Sequence, residues 1–228
     1  MCGRYTLAVP EGALLEAFDV PELTFDYRAY RPRYNVAPGQ EAPVVAQDDQ
    51  GRRIGLLEWG FLPSWKDEPA GPFVNARSES VASKRSFAEA FRRRRCLVPA
   101  DGFYEWRREG GGKVPYWFHP EEGEVLSFAA IWEAWRPPLD APGDVRPRHG
   151  FAILTTAANA DVADVHHRMP VVIPSSGRDR WLDRGRAVAD LEELLRPAPE
   201  GTFQARRVST RVNRPDDDDA GLIEAVEG

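Results

Sequence analysis

Apolar residues recur at helical spacing over Glu11–Phe18, where Ala13, Leu14, Ala17 and Phe18 would share one face, and this predicts a short helix. Short apolar runs bounded by Gly, Pro and polar clusters predict strands over residues 42–46, 55–60, 96–98, 125–131, 151–155 and 171–173. Residues 87–95 fit a second helix with Phe87, Ala90 and Phe91 turned inward. Arg178–Leu182 and residues 188–196 also read as helical, the latter ending before Pro197. Residues 21–40, rich in Pro, Arg and Tyr, read as an ordered loop, while 137–148 and the chain from Asp216 onward read as flexible. Strands outnumber helices and Pro and Gly punctuation is frequent. The expected class is therefore α+β, with mainly antiparallel strands forming an open barrel-like core and short helices flanking it. No repeat or linker divides the chain. The expected organisation is one catalytic domain over residues 1–215 followed by an acidic tail over 216–228.

Composition supports this picture. The 228 residues are 42% hydrophobic and 11% aromatic, enough for a sizeable core in one unit. No apolar run approaches the length needed to cross a bilayer, and the start of the chain lacks a secretory pattern, so the cytoplasm is the expected location. The net charge of -6 argues against indiscriminate coating of nucleic acid. Charge is unevenly spread, with an acidic run at Asp216, Asp217, Asp218 and Asp219 and basic clusters at Lys84-Arg85 and Arg92 to Arg95. The second cluster reads as a solvated helix face. Cys2 and Cys96 are the two cysteines and read as free thiols in a cytosolic chain. There is no CxxC pair or His/Cys spacing for zinc, and the adjacent His166 and His167 do not suit one ion, so no metal site is expected.

Candidate chemistry begins at Met1-Cys2-Gly3. A small second residue permits removal of the initiator Met, leaving an α-amine and a thiol on one residue. Such an amine has a pKa near 8, roughly two units below a lysine. It can condense with an aldehyde, and the thiol can then close a five-membered thiazolidine; alternatively the amine can serve as base for the thiol. Asn75, Arg77 and Glu79 bring an amide, a guanidinium and a carboxylate together, and in a strand they would share a face. Glu105 lies between Tyr104 and Trp106, a setting that raises a carboxyl pKa toward neutrality. His166 and His167 stand beside Arg168 ahead of an apolar run, and either could shuttle protons.

In chain order, Met1-Cys2-Gly3-Arg4-Tyr5, Arg33 to Gly39 (RYNVAPG), Trp59-Gly60, Asn75 to Glu79 (NARSE), Asp101 to Trp106 (DGFYEW) and His166 to Pro170 (HHRMP) resemble the SRAP family, the SOS response-associated peptidase-like or abasic-site processing proteins. The resemblance spans nearly the whole chain. It implies a protein that recognises abasic sites in single-stranded DNA and links to them covalently through a Schiff base and thiazolidine on Cys2. It implies catalytic roles for Cys2, Asn75, Glu105 and His166, the histidine being selected by the pattern His-x-Arg-x-Pro. It implies DNA contacts at Arg4, Asn35, Pro38, Trp65, Arg77, Arg85 and Arg168. No cofactor is implied. The implied partner is single-stranded DNA, including single-strand/double-strand junctions, bound by a monomer without a membrane; a bacterial protein would associate with the nucleoid. Ser64-Trp65-Lys66 departs from the paired aromatic usual after the Trp59-Gly60 segment.

Three other functions fit parts of the pattern. A glutamine amidotransferase-like hydrolase can also begin Met-Cys-Gly. A cysteine peptidase could use Cys2, Glu105 and His166, with self-removal of Met1 as its cleavage. A non-catalytic DNA-binding module would need no nucleophile.

Overall fold

The computed structural model of the chain describes residues 2–26, 30–67, 71–121, 123–137 and 146–227. Two sheets dominate it, and the chain is α+β. Five strands build the first sheet: β1 (Tyr5–Leu7), β2 (Arg33–Val36), β7 (Gly102–Glu109), β8 (Gly112–His119) and β12 (Gln204–Arg207), in the order β12-β8-β7-β1-β2, all antiparallel. The second sheet holds β3 (Glu41–Asp48), β4 (Gly51–Trp59), β5 (Asn75–Arg77), β6 (Arg95–Ala100), β9 (Leu126–Trp135), β10 (Arg148–Ala157) and β11 (Arg168–Pro170). Its path β10-β4-β3-β6-β9 returns to β10, so five strands form a hydrogen-bonded ring. Most of its pairings are antiparallel, but β10 runs parallel to β4 and β5. That parallel junction is tight: a Cβ on Gly150 would meet the Gly60 carbonyl oxygen at 2.1 Å, so only glycine fits there.

The main core lies between the sheets. Tyr5 packs its ring against Trp59 and Phe128, and Phe103 against Phe118 and Phe128. Short helices cover the rims: α1 (Glu11–Phe18), α2 (Ser78–Val81), α3 (Ala88–Arg93), α4 (Ala160–Ala163) and α5 (Arg178–Leu182). Helices α1 and α5 have the bounds the hydrophobic spacing predicts. Residues 188–195 are helical but form a 3-10 turn series. The apolar run 171–173 follows β11 instead of forming a strand of its own. Val171 donates to Leu154, and Ile173 to Ser127, so this run is shared between β10 and β9, with Val171 and Ile173 buried and Val172 partly so. Within the expected loop 21–40, residues 33–36 form β2. Most of the flexible reading of 137–148 falls on residues outside those described.

Two sequence expectations are corrected. Arg95 is not on a solvated helix face. It begins β6 and is only 4% exposed, because its guanidinium accommodates the carbonyls of Phe91, Arg92, Trp181 and Asp183 that α3 and α5 leave unpaired at their ends. Neighbouring Arg94 pairs with Glu133 at 2.8 Å, while Arg92 and Arg93 are exposed and meet Glu89. The acidic C-terminal residues are not loose either. Leu222 is fully buried with Tyr104, Trp117, Val208 and Val212, a second cluster on the outer face of the first sheet. Asp218 accepts hydrogen bonds from the main-chain N–H groups of Tyr34 and Asn35 and from the Arg33 side chain. The Asn35 amide, itself buried, donates to the carbonyls of Val212, Arg214 and Asp217. The C-terminal segment thus forms a rear layer under β1, β2 and β7.

Leu222→Ala should therefore lower unfolding stability by about 2–4 kcal/mol, as expected for a buried leucine. Urea denaturation measures this; an unchanged midpoint would mean that the segment is not part of the cooperative fold.

Candidate active site

Cys2, Asn75, Glu105 and His166 come together where the two sheets meet. The first sheet supplies two of them. Cys2 lies three residues before β1 and is fully buried, with its Sγ 3.9 Å from the Arg4 carbonyl oxygen. Glu105 lies on neighbouring β7 and is 3% exposed. The second sheet supplies the others. Asn75 begins β5, and its Nδ2 donates to the Cys2 carbonyl oxygen at 2.8 Å, joining the sheets across the site. The Asn75 Oδ1 is buried with no hydrogen-bond partner among the described residues, leaving an acceptor for an N–H or O–H brought into the site. His166 precedes β11, and its Nδ1 lies 3.6 Å from Glu105 Oε1. The same Nδ1 is 3.0 Å from both the main-chain nitrogen and the carbonyl oxygen of Arg168, so the ring is held in place in either tautomer.

Burial sets the electrostatics. Loss of water pushes the Glu105 carboxyl up to about 7. Burial also pushes the Cys2 thiol well up, and the Glu105 charge adds to that rise, so the thiol is held protonated at neutral pH. Desolvation lowers His166, favouring the neutral imidazole. A carboxyl near 7 beside a neutral imidazole can exchange protons with a reacting group close to physiological pH. A buried, protonated thiol, by contrast, is a weak first nucleophile.

The expected same-face triplet of Asn75, Arg77 and Glu79 does not form. The strand stops at Arg77 and Glu79 is on α2, so the face alternation no longer applies. Arg77 is exposed. Glu79 instead takes a two-pronged pair from Arg168 at 2.5 and 3.0 Å, which holds its own carboxyl below the usual range. Arg168 donates further to the Thr155 carbonyl and hydroxyl.

The other residues expected to touch DNA fall into two groups. Pro38, Arg77 and Arg85 are exposed, and Trp65 is 48% exposed with the Arg85 guanidinium 4.7 Å from its ring centroid. Arg4 and Asn35 turn instead into the rear layer. Arg4 donates to Asn35 Oδ1 at 2.9 Å and to the carbonyls of Val212 and Asn213. Thr155, Asn213 and Asp218, whose contacts support the site, escaped sequence reasoning. Each acts on a segment distant in the chain, and only the run of four aspartates gave any local signal. Asn213 accepts from the Trp106 indole at 2.8 Å, steadying the strand position next to Glu105.

Over residues 1–215 the chain matches the family described as SOS response associated peptidase (SRAP). The abasic site processing protein YoqW of Bacillus subtilis (strain 168) is 34% identical over 229 residues, spanning 99% of this chain and 100% of the relative. The abasic site processing protein HMCES of Gallus gallus is 34% identical over 270 residues, spanning 100% of this chain and 78% of the relative. Among solved structures, a Bacteroides thetaiotaomicron protein matches with a TM-score of 0.86 at 22% identity, covering 99% of this chain and 100% of its own, a likeness of fold. Motifs, fold and full-length relatives agree, and the chain belongs to the SRAP family.

Proposed function

We propose that this protein processes abasic sites in single-stranded DNA by linking covalently to them through Cys2, once Met1 has been removed. The observation that carries this reading is the fully buried Cys2 thiol, held protonated by that burial, with Asn75 on the Cys2 carbonyl and the buried Glu105 carboxyl 3.6 Å from His166. Such a site favours attack by the α-amine first. The amine adds to the open-chain aldehyde of the deoxyribose, and the resulting carbinolamine loses water to give an imine. The S–H then adds across the C=N bond, the sulfur to carbon and the proton to nitrogen, closing a thiazolidine. In this scheme Glu105 donates the proton that lets the hydroxyl leave as water, and His166 takes up protons during sugar opening. Asn75 holds the Cys2 backbone and offers its Oδ1 to the amine. The relatives named as abasic site processing proteins, matched along nearly the whole chain, support the same reading. A thiolate-first peptidase or glutaminase would need a thiol that ionises readily, and burial of Cys2 opposes that.

With single-stranded DNA carrying an abasic site, the protein should form an adduct that survives a denaturing gel. Cys2→Ala should form no such adduct, and Cys2→Ser should form an imine that persists only after borohydride reduction. Equal cross-linking by Cys2→Ala, or by undamaged DNA, would refute the scheme.

The rate of adduct formation should also follow a bell-shaped pH profile. The rate rises as the amine is deprotonated, levels off where Glu105 begins to lose its proton near pH 7, and falls above about pH 8, where the amine is already free and Glu105 is still losing its proton. Glu105→Gln should abolish the alkaline limb, so that its slower rate rises steadily with pH. Stopped-time gels across pH 5.5 to 9 measure this, and an alkaline limb that survives in Glu105→Gln would remove Glu105 from the acid role.

A further inference from the structure

Side chains alternate along β7, so Phe103, Glu105 and Arg107 point to one face of the first sheet and Tyr104 and Trp106 to the other. The packing agrees: Phe103 belongs to the main core, whereas Tyr104 belongs to the rear cluster. Across β8, Glu105 is directly opposite Tyr116, and Tyr116 is in turn opposite Arg207 on edge strand β12. Partners directly opposite share a face. Glu105, Tyr116 and Arg207 therefore form a row from the active site to the sheet edge, about 10 Å long across two strand spacings.

The row carries charged and aromatic groups. Arg107 lies two residues beyond Glu105 on the same face, with its guanidinium 4.9 Å from the Tyr116 ring centroid and a 2.5 Å hydrogen bond to the Tyr116 hydroxyl. Glu109 pairs with Arg107. Arg207 is half-buried, and its side chain has no hydrogen bond or ion pair among the described residues. Arg107 is balanced by Glu109 and the row also contains Glu105, so Arg207, whose charge reaches Glu109 only at longer range, is the guanidinium left to meet an outside anion.

Resting on the function proposed above, we propose that this row carries the single-stranded DNA on one side of the lesion. Arg207 holds a backbone phosphate, and the Arg107–Tyr116 stack supports a flanking nucleotide. The occupant follows from charge and continuity. The strip starts at the acid that acts on the lesion, and the strand entering that site carries a phosphate at every nucleotide. Guanidinium planes stacked on aromatic rings suit unpaired bases of any sequence.

The test uses oligonucleotides with a tetrahydrofuran in place of the abasic deoxyribose, which lacks the aldehyde and so allows equilibrium binding. Flanks of one and of about five nucleotides are compared, with the extension on the 5′ or the 3′ side, by fluorescence anisotropy over a salt series. The wild type should gain affinity from the longer flank on one side. Arg207→Gln and Arg107→Gln should each cut that gain, and Arg207→Gln should reduce the slope of log K against log salt by about 0.7, the value for one phosphate contact on a single strand. Variants that keep the wild-type gain and slope would overturn the proposal, as would a loss equal on both sides of the lesion. The two readings separate cleanly. If the wild type forms no adduct with aldehyde-bearing DNA, the proposed function fails. If it forms the adduct while both variants keep wild-type salt slopes, only the track fails.

Discussion

One constraint organises the fold: the first residues of the chain, Cys2 among them, are held in place by neighbouring strands and by the second sheet. Chain ends normally fray. Here β1 is only three residues long, yet it is the second-last strand of a five-stranded sheet, paired on one side to β2 and on the other to β7. Tyr104 donates to the Arg4 carbonyl at 3.0 Å and Asp101 to the Thr6 carbonyl at 2.9 Å. Tyr5 then buries its ring against Trp59 and Phe128 of the second sheet. A terminus held by main-chain bonds on both sides and by an aromatic anchor has little freedom left.

The C-terminal segment completes that restraint from behind. Arg4 and Asn35 bind its carbonyls, and Asp218 binds the main chain of β2. These are charge-assisted or buried contacts, in which a lost partner leaves an unsatisfied group behind. The two ends of the chain are thus bound to each other, and residues far from the site help determine where Cys2 lies. On the front of the sheet Cys2 and Glu105 are themselves buried and His166 is half-buried, so little water reaches them. That exclusion raises Glu105 and Cys2 together and lowers His166, so one physical cause, desolvation, tunes three groups.

Local features were legible in the chain. Helices α1 and α5 follow from apolar spacing within their own residues, and Cys2, Asn75, Glu105 and His166 lie in short motifs that the fold gathers into one place. Other features were not. The β7–β8 hairpin was missed because its polar and aromatic residues alternate between the face that holds Glu105 and a rear cluster, so no simple apolar period marks it. Arg95 reads as part of a basic run, but its burial depends on carbonyls from two separate helices. Glu79 reads as the third member of a strand face until the chain turns into α2 after Arg77.

The sequence by itself determined the secondary elements with local periodicity and the chemical identity of the groups at the site, since a thiol, a carboxylate and an imidazole are properties of residues. Only the tertiary structure decided their pKa order, their spacing and the role of the acidic end. Those depend on which groups lose water and on which distant carbonyls and amides remain to be paired, and neither can be counted until the two sheets have met.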